Sequence, residues 1–169
     1  MIFMSQSGLT DPARASDWDA WYVGHLRIML TVPEIYSAQR FKTDSAGYSP
    51  SLAMYGIAGA HVFDDPYYRR VRGMGEWLTL IDRRYYQRNL FSGVERAPAV
   101  ASGELLLVAD RECEDAALSD LRLTWLTCAG IDRSTPMRGI AVTGQTPPPR
   151  VGVAIYRPVT DCLLPAAPP

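Results

Sequence analysis

The sequence predicts an α+β fold, a β-α-β-β-α-β unit followed by a degenerate β-α-β-β repeat, with the sheets packed into an α/β barrel. Three observations carry this. Between Asp17 and Leu30, the residues Trp18, Trp21, Tyr22, His25 and Met29 fall on one stripe of a 3.6-residue period, the mark of an amphipathic helix. Asp65-Pro66 opens a second helix, with Asp as cap and Pro at the first helical position. Short runs of strand character flank both helices, each bounded by turn residues.

Residues 2–6 are short and apolar, a first strand. Ser16 is positioned to cap the first helix, with Asp19 completing a weak capping box, and Pro33 ends it by disfavouring helical geometry in the residue before it. Residues 36–42 and 52–57 read as two strands joined by a polar turn around Asp44-Ser45-Ala46-Gly47. The second helix carries Tyr67, Tyr68 and Val71. After a break at Gly73-Met74-Gly75 it continues through Trp77, Leu80 and Ile81 to a fourth strand at 84–94. This order is ferredoxin-like, with both helices on one face of an antiparallel sheet, and it occupies residues 1–96.

Residues 97–103 read as a linker. The degenerate repeat spans 104–157: a strand at 104–109, a helix stripe at Leu118, Leu121, Arg122 and Trp125, and strands at 137–143 and 151–156 around Pro147-Pro148-Pro149. Residues 158–169 read as a tail that frays from Leu163. A sheet with both helices on one face leaves the other bare. The second half, or a second chain across a two-fold, is expected to cover it and to enclose the natural pocket between the sheets.

The chain has 169 residues, 47% of them hydrophobic and 21% charged, with a net charge of −1, which excludes a disordered or collagenous chain. A sequence pI near 6.1 speaks against a duplex nucleic-acid partner. Three widely spaced cysteines make no disulfide framework and fit a reducing compartment. Residues 1–6 show no signal-peptide pattern. The longest uncharged run, residues 45–63, is too polar for a membrane span, so a cytoplasmic protein with no membrane partner is expected. There is no GxGxxG, P-loop, GxSxG or HExxH, and His61 beside Asp64-Asp65 has no second histidine near it, so neither cofactor nor metal is expected. Of the aromatic residues only Trp125 and Tyr156 lie beyond Phe91, and both histidines precede it. Chemistry is therefore expected in the first half.

The run Asp17-Trp18-Asp19-Ala20-Trp21-Tyr22-Val23-Gly24-His25-Leu26, then Val32-Pro33, then Ser37-Ala38-Gln39-Arg40-Phe41, resembles the dimeric α/β-barrel superfamily and within it the EthD-like proteins. Members often read W-Y-x-x-H-L-P, then V-P-G, then S-A-R-R-Y, and His25 and Pro33 keep that spacing. Arg27 stands where members carry Pro, and Glu34 where they carry Gly. The resemblance covers residues 2–94 and implies a homodimer unless the second half closes the barrel. The superfamily holds cofactor-free monooxygenases, polyketide cyclases, muconolactone isomerases and haem-degrading enzymes. In some EthD-like isomerases the motif histidine lines the cavity, a role the resemblance extends to His25.

On its own chemistry, His25 is either a neutral general base or a core imidazole bonded to a strand carbonyl or a tyrosine hydroxyl. Tyr55 is a hydrogen-bond donor to a bound carbonyl, and Tyr86 shares that role. Trp21 and Tyr22 either line a substrate pocket or form core. Arg40 suits a carboxylate, or a salt bridge at the rim. Tyr86 and Arg88 lie on one face of a strand, Tyr85 and Asn89 on the other, and one of these faces looks into the barrel. The expected function is cofactor-independent proton transfer (isomerase, cyclase or lyase) on a small aromatic or polyketide-like carbonyl compound. The alternatives are a non-enzymatic barrel for small apolar ligands, haem binding, or cofactor-free oxygenation.

Overall fold

In the computed structural model, which describes residues 1–166, eight strands pair edge to edge until no edge is left. They are β1 (Ile2–Ser7), β2 (Ile35–Lys42), β3 (Ser51–Ile57), β4 (Gln87–Ser92), β5 (Leu105–Arg111), β6 (Thr124–Ile131), β7 (Met137–Thr143) and β8 (Ala154–Pro158). All pairs are antiparallel, and the closed order is β1-β3-β2-β8-β5-β7-β6-β4. The first four strands run side by side as β4-β1-β3-β2 and the last four as β8-β5-β7-β6. The same internal order occurs twice, and each half's fourth strand abuts the other half's second. The barrel closes within one chain.

The second half corrects the expected β-α-β-β. The Leu118-to-Trp125 stripe is not a helix: residues Ala116–Leu121 form a single 3-10 turn, and Trp125 lies in β6. Arg122 adopts a left-handed φ of 51°, which ends the turn before a helix can propagate. Beyond it, Thr124-Trp125-Leu126-Thr127-Cys128 alternates in a strand-forming way. The expected tail is also partly pinned. Leu163 bridges to Ala38 on β2 through two hydrogen bonds of 2.9 Å, and the Val159 amide donates to the Arg40 carbonyl. Residues 167–169 of that predicted tail lie outside the described residues.

Strand alternation sorts side chains to two faces. The inner face carries Ile2, Met4, Phe41, Leu52, Met54, Phe91, Leu106, Val108, Leu126, Ile140 and Tyr156, one contiguous apolar cluster that fills the lumen. The linker plugs one end: Val100 joins this cluster, and the Gln39 side-chain amide both donates to the Val100 carbonyl (2.7 Å) and accepts from its amide (3.0 Å). Towards the other end the buried Arg138 guanidinium meets Asp110 (2.6 and 2.8 Å) and Gln6 (2.7 Å). The pocket expected between the sheets is therefore solid.

The outer face of the first half carries Phe3, Ala38, Ala53, Tyr55 and Leu90, covered by α1 (Ala15–Met29) and α2 (Pro66–Val71). Trp18, Tyr22, His25, Leu26 and Met29 are the buried stripe of α1. The cap is not Ser16. Asp11 caps a 3-10 turn at Pro12–Arg14 that runs straight into the helix. Asp65 caps α2, its carboxylate accepting from the Tyr68 amide at 2.8 Å. Glu34, which stands where the V-P-G pattern carries glycine, takes φ +66°, the left-handed geometry that glycine favours. Arg27 is an exposed residue of α1.

Candidate functional site

Where α1 and the α2 region bridge the outer face of β1, β3 and β4 they leave a cavity of about 300 Å³. Each wall follows from a simple spacing. On β1, Phe3 and Ser5 alternate outward, and their register partners are Tyr55 and Ala53 on β3, and Leu90 and Arg88 on β4. From α1 come Tyr22, His25 and Met29, one turn apart. From α2 and the segment after it come Tyr68, Arg69, Arg72 and Met74. Tyr86 enters just before β4.

His25 lines this cavity with its ring stacked on Trp21 (centroids 4.8 Å apart, planes within 10°) and edge-on to Tyr22 (5.8 Å). Burial lowers its pKa from 6.5 to about 4, so it is a neutral imidazole at physiological pH. The neighbouring phenols move the other way. Burial raises Tyr22 to about 12, against the Arg40 guanidinium that stacks on its ring at 4.4 Å. Burial likewise raises Tyr55 well above its ordinary value, with the Tyr22 phenol beside it adding to the rise. Both hydroxyls stay protonated and serve as donors. The cavity thus places a neutral imidazole, which can accept a proton, in the same lining as two protonated phenols, which can donate hydrogen bonds.

Five predicted residues therefore meet around one cavity: His25, Tyr22, Tyr55, Tyr86 and Arg88. Trp21 is not among its lining residues; it backs the imidazole instead. Arg40 is no substrate ligand in this cavity. Buried beneath α1, it ion-pairs with Asp19 at 2.8 Å, donates to the Ser51 hydroxyl at 3.1 Å and stacks on Tyr22. Asn89 faces the filled lumen, and its amide is consumed by the Ser134 hydroxyl (2.7 Å) and backbone amide (2.9 Å). The two placements have different causes: alternation puts Asn89 on the opposite face from Arg88, while the Asp19 carboxylate of α1 pairs with Arg40.

Sequence reasoning missed Ser5, Tyr68, Arg69 and Arg72. The signal for Tyr68 and Arg72 was present in their four-residue spacing after the Asp65-Pro66 start, which puts both on one side of the chain. His61 pairs with Glu34 and not with the aspartates. Among the described residues no three His, Cys, Asp or Glu side chains converge as metal ligands, and no helix is long and apolar enough to cross a membrane. No protein-family profile, no curated protein and no solved structure matches this chain.

Proposed function

We propose that the chain is a cofactor-independent proton-transfer enzyme acting on a small aromatic or polyketide-like carbonyl compound, with its site between α1, α2 and the outer sheet face. The single observation that carries this is His25, held neutral by burial in the same cavity as the protonated Tyr22 and Tyr55 phenols. In the reaction a proton next to the carbonyl passes to the imidazole. The C–H electron pair moves into an enolate, whose oxygen accepts from the phenols. Returning the proton to another carbon isomerises the substrate, expelling a leaving group is lysis, and attack of the enolate carbon on a second carbonyl is cyclisation. Trp21 supports the step by presenting its π face to the imidazolium that forms. We propose further that the two halves are fused ferredoxin-like units, a reading supported by the twice-repeated strand order. EthD-like membership belongs to the same proposal, supported by His25 in the cavity and the left-handed residue at position 34.

Deuterium exchange next to the carbonyl of phenylpyruvate, benzoylacetate and acetonaphthone, followed by proton NMR, tests the reaction. The native chain is expected to accelerate exchange in at least one of these, and His25→Gln to slow it by about a hundredfold or more with the fold unchanged. Acceleration of none, or an undiminished rate in His25→Gln, overturns the reading.

A further inference from the structure

Proton transfer gives no role to the arginines of the cavity. Its lining contains no Asp or Glu, yet Arg69, Arg72 and Arg88 all reach it. Arg69 is committed to Asp64 (2.6 Å) and the Phe63 carbonyl. Arg88 shares its guanidinium with Asp132 (2.9 Å) and stands over the Tyr86 ring, half-buried. Arg72, just past the end of α2, makes no ion pair among the described residues.

Arg72 and Arg88 line the cavity together with Tyr68. Burial raises the Tyr68 pKa, and these two guanidiniums act against that rise. The lining thus combines two arginines, Arg72 from the segment after α2 and Arg88 from β4, with the His25 imidazole of α1. With Arg69 paired to Asp64 and Arg88 to Asp132, the exposed Arg72 leaves the half-enclosed cavity one uncompensated positive charge and no carboxylate in its lining, which favours an anionic occupant over a neutral one. Guanidinium forks match a planar carboxylate in particular.

We infer that the ligand is a small aromatic carboxylate, its carboxylate held by Arg72 and Arg88 and its apolar body lying among Phe3, Met29 and Met74. The inference rests on the proton-transfer reading for which end of the ligand reacts, not for its charge. The ligand's acidic C–H and carbonyl then lie beside His25, and the bound carboxylate anchors the ring while chemistry proceeds there.

Calorimetric titration of the full chain with naphthoate and with the uncharged isostere naphthamide tests it. Naphthoate is expected to bind at least about tenfold more tightly, a margin that shrinks as salt rises from about 20 mM to about 500 mM. Arg72→Gln, which removes no protein ion pair, is expected to erase most of that margin while leaving naphthamide affinity unchanged, and Arg88→Lys to retain part of it. Equal binding of the two probes, a margin that survives Arg72→Gln and Arg88→Gln together, or binding of neither overturns the inference. His25-dependent exchange on acetonaphthone, a neutral ketone, alongside equal probe binding would sink the carboxylate assignment and leave the proton-transfer reading standing.

Discussion

At the scale of single residues, neutrality at His25 is a consequence of place. The α1 stripe stacks the buried imidazole on Trp21 at the wall of the cavity, where a charge would lose its hydration. The folded pKa of about 4 lies below the ordinary 6.5, so between those values the unfolded chain binds the extra proton. Stability is unaffected by this group above pH 6.5 and falls as pH drops towards 4, by of order 3 kcal/mol in total. An NMR titration of His25 is expected to show a midpoint near 4, and urea unfolding of His25→Phe to lose this part of the acid sensitivity. A midpoint at the ordinary value would mean that the ring is solvated and free to charge. Glu34 is the converse case, a side chain placed where glycine belongs. Its φ of +66° costs about 1–2 kcal/mol, which glycine escapes at an entropic cost of about 0.5–1 kcal/mol. Its exposed pairing with His61 offsets little of this. Glu34→Gly is therefore expected to raise stability slightly, by up to about 1 kcal/mol, and Glu34→Val to lower it. Chemical denaturation of both variants reads the sign directly.

Elements are held in register by buried polar pairs as much as by apolar packing. Arg40 on β2 is clamped to α1 by Asp19 and roofed by the Tyr22 and Trp18 rings, while Lys42 reaches the same carboxylate. Asp19→Ala strands a buried guanidinium. Complete burial of such a pair would make that loss about 3–5 kcal/mol, but the Asp19 side chain is 39% exposed, so about 2–3 kcal/mol is expected. Arg40→Met, which removes charge and desolvation cost together, is expected to cost less than Asp19→Ala. The reverse ranking in urea denaturation would show that the clamp contributes little beyond its volume. Elements were also the most legible level in the sequence. The α1 stripe and the opposite facing of Arg88 and Asn89 follow from periodicity, and the Asp65-Pro66 start from cap chemistry; the structure keeps each of them, with Leu26 buried on the stripe and Trp21 half-buried. Trp125 did not follow, because its spacing from Leu118 fits a helix equally well and only the left-handed Arg122 between them decides otherwise. For Arg40 the sequence left a carboxylate ligand and a salt bridge both open, because its partner Asp19 lies on another element, beyond the reach of local spacing.

For the molecule as a whole, what sequence could not show was which side of the sheet would be hollow. Alternation assigns residues to two faces but does not say which face helices cover, and the expectation of a cavity between the sheets chose the wrong one. The lumen is the shared core of both halves: Met4, Phe41, Leu52 and Phe91 from the first pack with Leu106, Val108, Leu126 and Tyr156 from the second. The two halves also share two strand seams, β2 with β8 and β4 with β6. Neither half can shed the other without exposing this cluster and opening both seams, so unfolding must be concerted. Calorimetry is expected to show one transition whose van't Hoff and calorimetric enthalpies agree. A truncation in either half should move that same transition. Phe91→Ala and Leu106→Ala, both fully buried, are expected to cost about 3–5 and about 2–5 kcal/mol. At about 2–4 °C per kcal/mol for a chain of this size, Phe91→Ala lowers the melting temperature by roughly 6–20 °C and Leu106→Ala by roughly 4–20 °C. Neither should split the peak. Two transitions, with Leu106→Ala shifting only one, would instead show two separable units that merely touch, and the filled lumen would then be an interface and not a core.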